Sequence, residues 1–486
     1  MGKLIQSGPR DAKIVIVGEA PGATEEQTGQ PFCGGSGMLL NSMLANTRIR
    51  RDQCFITNVC HVKPEKNEFA WFLKPANQQH LVSGIIQLKK DLLEIKPNLV
   101  IALGAQPLRV LTNKQGIDNW RGSILESTLV PGLKVIGTYH PAYILRVYNA
   151  RVVAEFDLRR CATESKTPEI VLPEYEFYLD PPTSERQALA DEFSKAEWLA
   201  VDIECWSTPQ GWKLACVGFS DRKGRALVIP TRNAQDALLV RGLLESPAQK
   251  IFQNGQFDVT VLRAEGYEVK NWTWDTMLAH HALFPECASG GDELAVLAGK
   301  KRKVGGLAKG LAFQTSLYTR QPYYKDDGKT WKETGDLMIF WRYNALDAAI
   351  TREIRDVQES ELKEFGTLHI AYHAMSMSEP LLAATRVGLS VDFVVRDEMK
   401  AKITKEIDNL QAFLDTGAGR PVNVKSTSAG GDVQWLLYEH LKLPIKYKKD
   451  TGRITADKDA ITWLGGKYQN PLLHAILRIR EKRDLV

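Results

Sequence analysis

The sequence predicts an α/β protein of several domains that ends in a mostly helical segment. Apolar runs alternate with helical stretches in the first third of the chain, beginning with KIVIVGEAPG (13–22). A second series of strand-like runs begins near residue 198, after a Pro-rich, acidic stretch at 161–185. Beyond about residue 370, apolar residues recur at three- and four-residue spacing, which is the period of an amphipathic helix.

In the first series, each strand-like run ends in a turn that precedes a helical stretch. The runs are KIVIVGEAPG, NLVIALGAQPL (98–108) and KVIGTYHPAYILR (134–146). This repetition predicts a parallel sheet with helices on both faces, which we assign to residues 1–165. The stretch TPEIVLPEYEFYLDPPTSE indicates a linker, which we place at 166–185.

Length and composition limit what the chain can be. Its 486 residues exceed what one core organises, and its 44% hydrophobic and 25% charged content is that of a globular protein. No apolar run is long enough to span a bilayer, and MGKLIQSGPR lacks the apolar core of a signal peptide. The lack of a spanning run predicts no membrane partner. The seven cysteines form no CxxC pair, which predicts reduced thiols and a cytoplasmic location.

The net charge of +5 is concentrated at the end of the chain. Residues 395–486 contain 17 Lys and Arg against 12 Asp and Glu, an excess that equals the charge of the whole chain. A basic segment suits a phosphate backbone, although a solvated lysine-rich face would have the same composition.

The second series of strands contains an unusual pair of acids. In WLAVDIECW, Asp202 and Glu204 are two residues apart and so share one face of the strand, where like charges repel unless a cation lies between them. Asp258 begins a helical run, and RYNALDAAITREI places Tyr343 and Asp347 on one helix face. Together these groups predict a site for two hard cations. Read singly, Asp258 could be a charge at a helix N-terminus and Asp347 an ordinary exposed acid.

The order DxE, NxxxD and YxxxD resembles the DEDD superfamily of 3′–5′ exonucleases, in the tyrosine-bearing branch found beside family A DNA polymerases. The resemblance covers about residues 185–360 and implies an RNase H-like exonuclease domain, placed at 186–365. It implies that Tyr343 and Glu204 orient the attacking water, and that Asn254 and Phe257 hold the frayed 3′ end of DNA. The implied ligands of two Mg²⁺ or Mn²⁺ ions are Asp202, Glu204, Asp258 and Asp347.

The first domain carries three motifs that resemble the uracil-DNA glycosylase superfamily, closest to its family 4. They are GEAPGATEEQTGQPFCGGSGMLL (18–40), ITNVCHVKP (56–64) and TYHPAYILR (138–146). The resemblance implies a glycosylase-like parallel sheet domain in which Phe32 stacks on a flipped base and Asn58 reads its edge. It also implies that His140 stabilises the departing base anion, that Glu19 positions the water, and that Arg146 lies near phosphate. Alternatively, the glycine-rich turn belongs to a nucleotide-binding fold, and His140 is a turn histidine before proline.

This domain departs from the family 4 pattern in its cysteines. An N-terminal cysteine pair is missing, and Val62 stands where a third cysteine is expected, so we expect no iron–sulfur cluster. Ala20 stands where the best-known uracil glycosylases have a catalytic aspartate, a feature that family 4 shares. Activity that is weak, altered in base preference or absent is consistent with these departures. The alternative to a catalytic domain is a non-catalytic module that binds DNA or a partner.

The C-terminal part resembles the entry to the polymerase region and the thumb of family A polymerases. SEPLLAATRVGLSVD (378–392) and residues 423–461 carry this resemblance, which implies a thumb region over 366–486 whose basic helices grip primer–template DNA. The palm and fingers have no counterpart. We expect the proofreading part of a bacteriophage-type polymerase, in the host cytoplasm if phage-encoded. The chain is then either a truncation or a split subunit that a palm- and fingers-bearing chain completes.

Overall fold

The computed structural model forms two compact units, Met1–Ala384 and Thr385–Val486. The structure describes residues 5–209, 211–285, 309–425, 430–448 and 453–485. No helix among these residues has both the length and the apolar content needed to cross a membrane. The helical unit begins at Thr385, later than the start at residue 366 that the sequence predicts for the thumb region. The helix Ser378–Val387 carries Leu382 into a core of the first unit, which accounts for the later start.

The first sheet has five strands in the order β2-β1-β3-β5-β4. The strands are β1 (Ile14–Gly18), β2 (Cys54–Asn58), β3 (Leu99–Leu103), β4 (Ile124–Glu126) and β5 (Lys134–Thr138). Four strands are parallel, and β4 pairs antiparallel with β5. The helices of this domain are Ala23–Thr28, Gly35–Asn46, Gln78–Ile95, Ala105–Thr112, Ile117–Trp120, Pro141–Ile144 and Ala150–Glu164. The predicted α/β class is confirmed for this domain.

The apolar runs of the first sheet bury both of its faces. Along β1, Ile16 packs into one core while Val15 and Val17 pack into the other, because successive side chains point to opposite faces. Both faces are therefore closed, and the carboxyl edge of the sheet is where a ligand can enter. There β1 ends at Gly18, β2 ends at Asn58, and β5 ends two residues before His140.

The second sheet has six strands in the order β11-β10-β7-β8-β9-β6. The strands are β6 (Glu176–Leu179), β7 (Trp198–Thr208), β8 (Gly211–Ser220), β9 (Arg225–Pro230), β10 (Gln249–Phe252) and β11 (Trp272–Asp275). The central strand β7 is parallel to β10 and antiparallel to β8. The helices are Thr183–Phe193, Ala234–Glu245, Gly255–Ala264, Thr276–Leu283, Leu311–Tyr318, Asp327–Thr334, Leu337–Glu364, Leu368–Ser376 and Ser378–Val387.

One long helix, Leu337–Glu364, lies across this sheet. Its buried residues Ala345 and Ala349 pack against Cys216, Ala226 and Val228 of β8 and β9. Small side chains on both surfaces allow the helix backbone to approach the sheet closely. The long helix therefore brings the side chains of its first half to the middle of the sheet, beside β7.

The second unit is helical, as predicted. Its helices are Phe393–Ala418, Asp432–Gln434, Lys458–Tyr468 and Pro471–Arg483, with a π-helical turn at Trp435–His440. Leu414, Leu436, Ile461, Leu473 and Ile476 lie in its core. Residues 426–429 and 449–452 of the thumb-like stretch are outside the described residues.

Candidate functional site

The acidic cluster lies where β7 meets the long helix. One carboxylate oxygen from each of Asp202, Glu204 and Asp347 lies within 4.8 Å of the other two. Asp202 and Glu204 share a face of β7 because they are two residues apart, and Asp347 comes from the buried side of the long helix. The donor set consists of carboxylate oxygens, the ligands that hard divalent cations prefer.

Asp258 lies beside this cluster without joining the three-carboxylate group. Its Oδ1 accepts a hydrogen bond of 3.3 Å from the backbone N–H of Ile203, which is the residue between the two acids of β7. Burial raises the pKa of Asp258 to about 7. Burial also raises the pKa of Asp202, and the neighbouring charges of Asp347 and Glu204 raise it further. Such buried like charges require a proton or a cation to neutralise them, and the site therefore fits divalent metal ions.

Asn344, which the sequence motifs did not indicate, holds Asp202 in place. Its Nδ2 donates to Asp202 Oδ2 at 2.7 Å and to the backbone oxygen of Asp202 at 3.1 Å. Gly218 lies opposite Asp202 on β8, and a Cβ atom there would come within 2.6 Å of Asn344 Oδ1. The signal was present in principle, because Asn344 is three residues before Asp347 and shares its helix face.

Sequence analysis missed two further residues, Tyr324 and Lys325. Both contact Asp347, the acid that the long helix contributes to the cluster. The Tyr324 hydroxyl donates to Asp347 Oδ1, and Lys325 Nζ forms an ion pair with Asp347 Oδ2. Lys325 Nζ also lies 3.0 Å from the Tyr343 hydroxyl. Burial and the charge of Asp347 raise the pKa of Tyr343, which keeps its phenol protonated. The loop sequence YYK (323–325) matches no motif, so these contacts could not be predicted from the sequence.

Asn254 and Phe257 lie at the N-terminus of the helix Gly255–Ala264. Asn254 adopts a left-handed backbone conformation with φ of 60°, and its backbone N–H donates to Asp275 Oδ1 at 3.1 Å. Its side chain is exposed. Phe257 is 43% exposed, and its ring lies 5.8 Å from that of Trp212, which is 55% exposed. Two exposed aromatic rings next to each other offer a surface on which nucleic acid bases can stack.

A cavity of about 400 Å³ opens at the carboxyl edge of the first sheet. All five residues predicted for this domain, Glu19, Phe32, Asn58, His140 and Arg146, line the cavity. It is also lined by Ala20, Pro21, Gly22, Glu25, Ser36, Pro64, Asn67, Ala142 and Tyr143. Three sequence motifs that are far apart in the chain thus meet around one cavity.

The position of Phe32 in this cavity depends on a glycine. Phe32 has φ of 50°, a strained conformation for a bulky residue, and its ring centroid lies 5.8 Å from that of His140. At Gly18, a Cβ atom would come within 2.5 Å of the Phe32 ring and would also meet the amide oxygen of Asn58. Gly18 therefore leaves room for both predicted base-contacting side chains.

His140 is a neutral donor in this cavity. It caps the helix Pro141–Ile144, because its Nδ1 accepts the backbone N–H of Ala142 at 3.1 Å. An acceptor at Nδ1 places the ring proton on Nε2. Burial, helped by the charge of Arg146 and opposed by that of Glu25, lowers the pKa of His140 to about 4. The imidazole is thus uncharged at neutral pH and can donate a hydrogen bond from Nε2.

Two glutamates lie in the same cavity. Glu25, which sequence analysis did not single out, accepts the backbone N–H groups of Cys33 and Gly34 at 3.2 and 3.1 Å. These hydrogen bonds hold the loop that carries Phe32. The sequence ATEEQT does not distinguish Glu25 from the adjacent Glu26, so sequence analysis could not identify its role. Burial raises the pKa of Glu19 above its usual range.

Comparisons with known proteins match two separate parts of the chain to two families. Residues 5–161 match the uracil DNA glycosylase superfamily, and residues 182–363 match the 3′–5′ exonuclease family associated with DNA polymerase A. The type-4 uracil-DNA glycosylase of Thermotoga maritima is 36% identical over 145 residues, which are 29% of this chain and 71% of that protein. These matches confirm the two resemblances seen in the sequence.

Two polymerases are also similar to the chain. The DNA polymerase of Bacillus phage SP01 is 24% identical over 311 residues, which are 56% of this chain and 33% of that protein. The POL domain of Pol1 from M. smegmatis, solved with DNA primer-template and dNTP, matches at a TM-score of 0.45 and 18% identity. That match covers 63% of this chain and 48% of the solved one. This chain therefore spans about a third of the phage polymerase and about half of the solved chain.

Proposed function

The chain belongs to the uracil-DNA glycosylase superfamily and carries a 3′–5′ exonuclease domain, and from this premise we propose that it proofreads DNA by metal-dependent removal of 3′-terminal nucleotides. The observation that carries the proposal is the approach of Asp202, Glu204 and Asp347 to within 4.8 Å of one another. Carboxylates this close together repel one another unless a proton or a cation neutralises them, so such a cluster is a candidate functional site.

The proposed cofactors are two Mg²⁺ or Mn²⁺ ions held by Asp202, Glu204, Asp258 and Asp347. When bound, such ions lower the pKa of water and offset the charge on the attacking and leaving oxygens of a phosphodiester. Glu204 accepts a proton from the attacking water, and the protonated Tyr343 hydroxyl orients that water by a hydrogen bond. Asn344 keeps the Asp202 carboxylate in position for its ligand role.

The proposed substrate is a single-stranded 3′ end. Phe257, the residue before Asp258, and Trp212 provide neighbouring exposed rings, and Asn254 is exposed just before the helix that carries Phe257. Stacking on such rings tolerates any base, which is what removal of an arbitrary mispaired nucleotide requires. We therefore assign end-binding to Asn254 and Phe257, with Trp212 as a further member of this surface.

Two aspartates of the long helix provide a matched test. Asp347 lies in the cluster, whereas Asp356 is 47% exposed and pairs with Arg352 at the surface. With 5′-labelled single-stranded DNA and Mg²⁺, we expect the unaltered chain and Asp356→Ala to shorten the substrate from its 3′ end. Asp347→Ala and Asp202→Ala should lose roughly a hundredfold or more in rate. Intact substrate with the unaltered chain, or equal rates for the two aspartate variants, contradicts the proposal.

For the first domain, we propose excision of uracil from DNA. The supporting observation is a neutral His140 in one cavity with Phe32 and Asn58. Phe32 would stack on the flipped base and Asn58 would pair with its edge, while His140 Nε2–H would donate to the departing anion. Arg146 would contact phosphate.

The test is release of uracil from a labelled duplex, with Asn58→Ala and His140→Ala as variants. Excision that both variants reduce supports catalysis by this domain. If the unaltered chain binds uracil-containing DNA without releasing the base, the domain is a binding module, which is the second candidate function.

For the helical unit Thr385–Val486, we propose contact with the backbone of primer–template DNA. Its excess of positive charge supports this role, which predicts affinity that falls steeply with salt. A palm-bearing partner chain is a separate proposal, because the phage polymerase extends over sequence that this chain does not match. Gel filtration of this chain with such a partner tests it, and separate elution would contradict it.

A further inference from the structure

A segment of the exonuclease domain touches both sheet domains. We call residues 309–326 the strap; it includes the helix Leu311–Tyr318 and ends next to the acidic cluster. On the exonuclease side, the buried Gln314 Nε2 donates to Gln253 Oε1 at 2.9 Å, and Gln358 Nε2 donates to Gln314 Oε1 at 2.9 Å. The first half of the strap is thereby fixed to its own domain.

The glycosylase-like domain holds the middle of the strap through two arginines. Arg121 Nη1 donates to Ser316 Oγ at 3.0 Å, and Arg160 Nη2 donates to the backbone oxygen of Leu317 at 2.9 Å. Arg121 is only 2% exposed and is oriented by a hydrogen bond of 2.8 Å from Nε to Asp157 Oδ2. A guanidinium that is already fixed loses little further freedom when it binds the strap.

The second half of the strap is held by the glycosylase-like domain as well. Arg320 forms a two-point ion pair with Glu164, with nitrogen–oxygen distances of 2.6 and 3.0 Å. The backbone N–H of Tyr323 donates to Ser123 Oγ at 3.1 Å, and the rings of Tyr323 and Trp120 lie 5.2 Å apart edge to face. Ser123 is 1% exposed, so the acceptor of this hydrogen bond is buried.

The two residues that follow Tyr323 in the chain contact the acidic cluster. Tyr324 binds Asp347, and Lys325 binds both Asp347 and the Tyr343 hydroxyl. Consecutive Cα atoms are about 3.8 Å apart, so the contacts of Tyr323 limit where Tyr324 and Lys325 can lie.

We propose that Tyr324 and Lys325 are positioning residues that fix Tyr343 relative to Asp347, and that the glycosylase-like domain holds them there through the strap. The inference rests on the proposed exonuclease function. The Lys325 ammonium links the phenol to the carboxylate, and the hydrogen bond that Ser123 Oγ accepts from the Tyr323 N–H restricts where the following Lys325 lies. When that anchor is lost, the acids of β7 stay in place while Tyr343 loses its fixed partner. The first domain thus contributes to the reaction of the second without touching its substrate.

Two buried serines of the first domain provide matched variants. Ser123 binds the strap, whereas Ser127, which is 2% exposed, donates to the backbone oxygen of Leu111 within its own domain at 2.9 Å. With the full chain, we expect Ser123→Ala to lower the exonuclease kcat roughly two- to tenfold, which corresponds to one lost hydrogen bond, with KM for single-stranded DNA unchanged. Ser127→Ala should leave both constants unchanged. If Ser123→Ala does not fold, as judged by circular dichroism, Trp120→Leu replaces it because it removes the ring contact with Tyr323.

Binding of Mn²⁺ measured by calorimetry supplies a readout besides activity. Lys325→Met should bind Mn²⁺ more tightly than the unaltered chain, since a positive charge next to Asp347 is removed, while its kcat falls. Lys325→Arg should retain part of the kcat. Ser123→Ala should shift Mn²⁺ affinity in the same direction as Lys325→Met, and Ser127→Ala should not.

A double variant tests whether Ser123→Ala lowers the rate by displacing Lys325. In the Lys325→Met background, Ser123→Ala should have little further effect, because the residue that it displaces is already gone. Fully additive effects, or equal behaviour of the two serine variants in kinetics and calorimetry, overturn the inference. An unaltered chain that cleaves no DNA overturns the proposed function instead, while Mn²⁺ calorimetry still decides the role of the strap.

Discussion

Replacing His140 with asparagine should remove a specific pH dependence from the stability of the glycosylase-like domain. An asparagine amide can accept the N–H of Ala142 as His140 Nδ1 does, so the helix cap is retained while the titrating ring is lost. The comparison between the two chains therefore isolates the protonation of one buried imidazole.

The magnitude follows from the two pKa values of His140. Its pKa is 6.5 in the unfolded chain and is lowered by burial to about 4 in the folded chain. Between these values the unfolded state binds more protons, so the free energy of unfolding falls as the pH falls. From pH 7.5 to about pH 4.5, the unaltered chain should lose about 2.5 kcal/mol relative to His140→Asn.

The assay is urea unfolding of both chains at several pH values, followed by hydrogen exchange of peptides from β1 to β5. Exchange in these peptides assigns the free energy to the domain that contains His140. All other titrating groups are common to both chains and cancel in the difference. A difference in unfolding free energy that stays constant from pH 7.5 to 4.5 would refute a neutral, buried His140.

Three further outcomes are expected. Arg121→Met leaves the Asp157 carboxylate buried without its charged partner and should cost about 3–5 kcal/mol in urea unfolding, whereas replacing both residues by apolar ones should cost less. Gly218→Ala pushes a methyl group against Asn344 and should lower the exonuclease rate roughly tenfold or more in the labelled-DNA assay, without unfolding the chain. Removal of divalent ions with EDTA should stop 3′-end cleavage and added Mg²⁺ should restore it; cleavage that continues in EDTA would argue against a metal site.

The parts of the fold and site that could be predicted from the sequence are those that local patterns encode. Two acids two residues apart in a strand share a face by geometry alone, and a polar residue at the carboxyl end of a parallel strand lies at the ligand-binding edge. Asp202, Glu204 and Asn58 occupy the positions that these two rules predict. Their roles, unlike their positions, stay predictions until the assays are done.

The missed residues depend on contacts between distant segments. Lys325 contacts Asp347 from a loop that lies far from it in the sequence and also packs against the first sheet domain, and Asn344 contacts Asp202 across the interface between the long helix and the sheet. Trp212 joins Phe257 through the length of the β7–β8 hairpin. The spacing of residues within one segment cannot predict these contacts, because each depends on how separate elements pack in three dimensions.

The distance along the chain between β7 and the long helix determines when the acidic site can form during synthesis on the ribosome. The parallel neighbour of β7 is β10, and the long helix that supplies Asp347 ends at Glu364, far later in the chain. Pairings between distant segments form slowly because a long loop must first be closed. The nascent chain must therefore be released beyond the long helix before the acids meet, whereas the first sheet is completed by Thr138. All strands of the glycosylase-like domain are therefore synthesised well before the strap emerges.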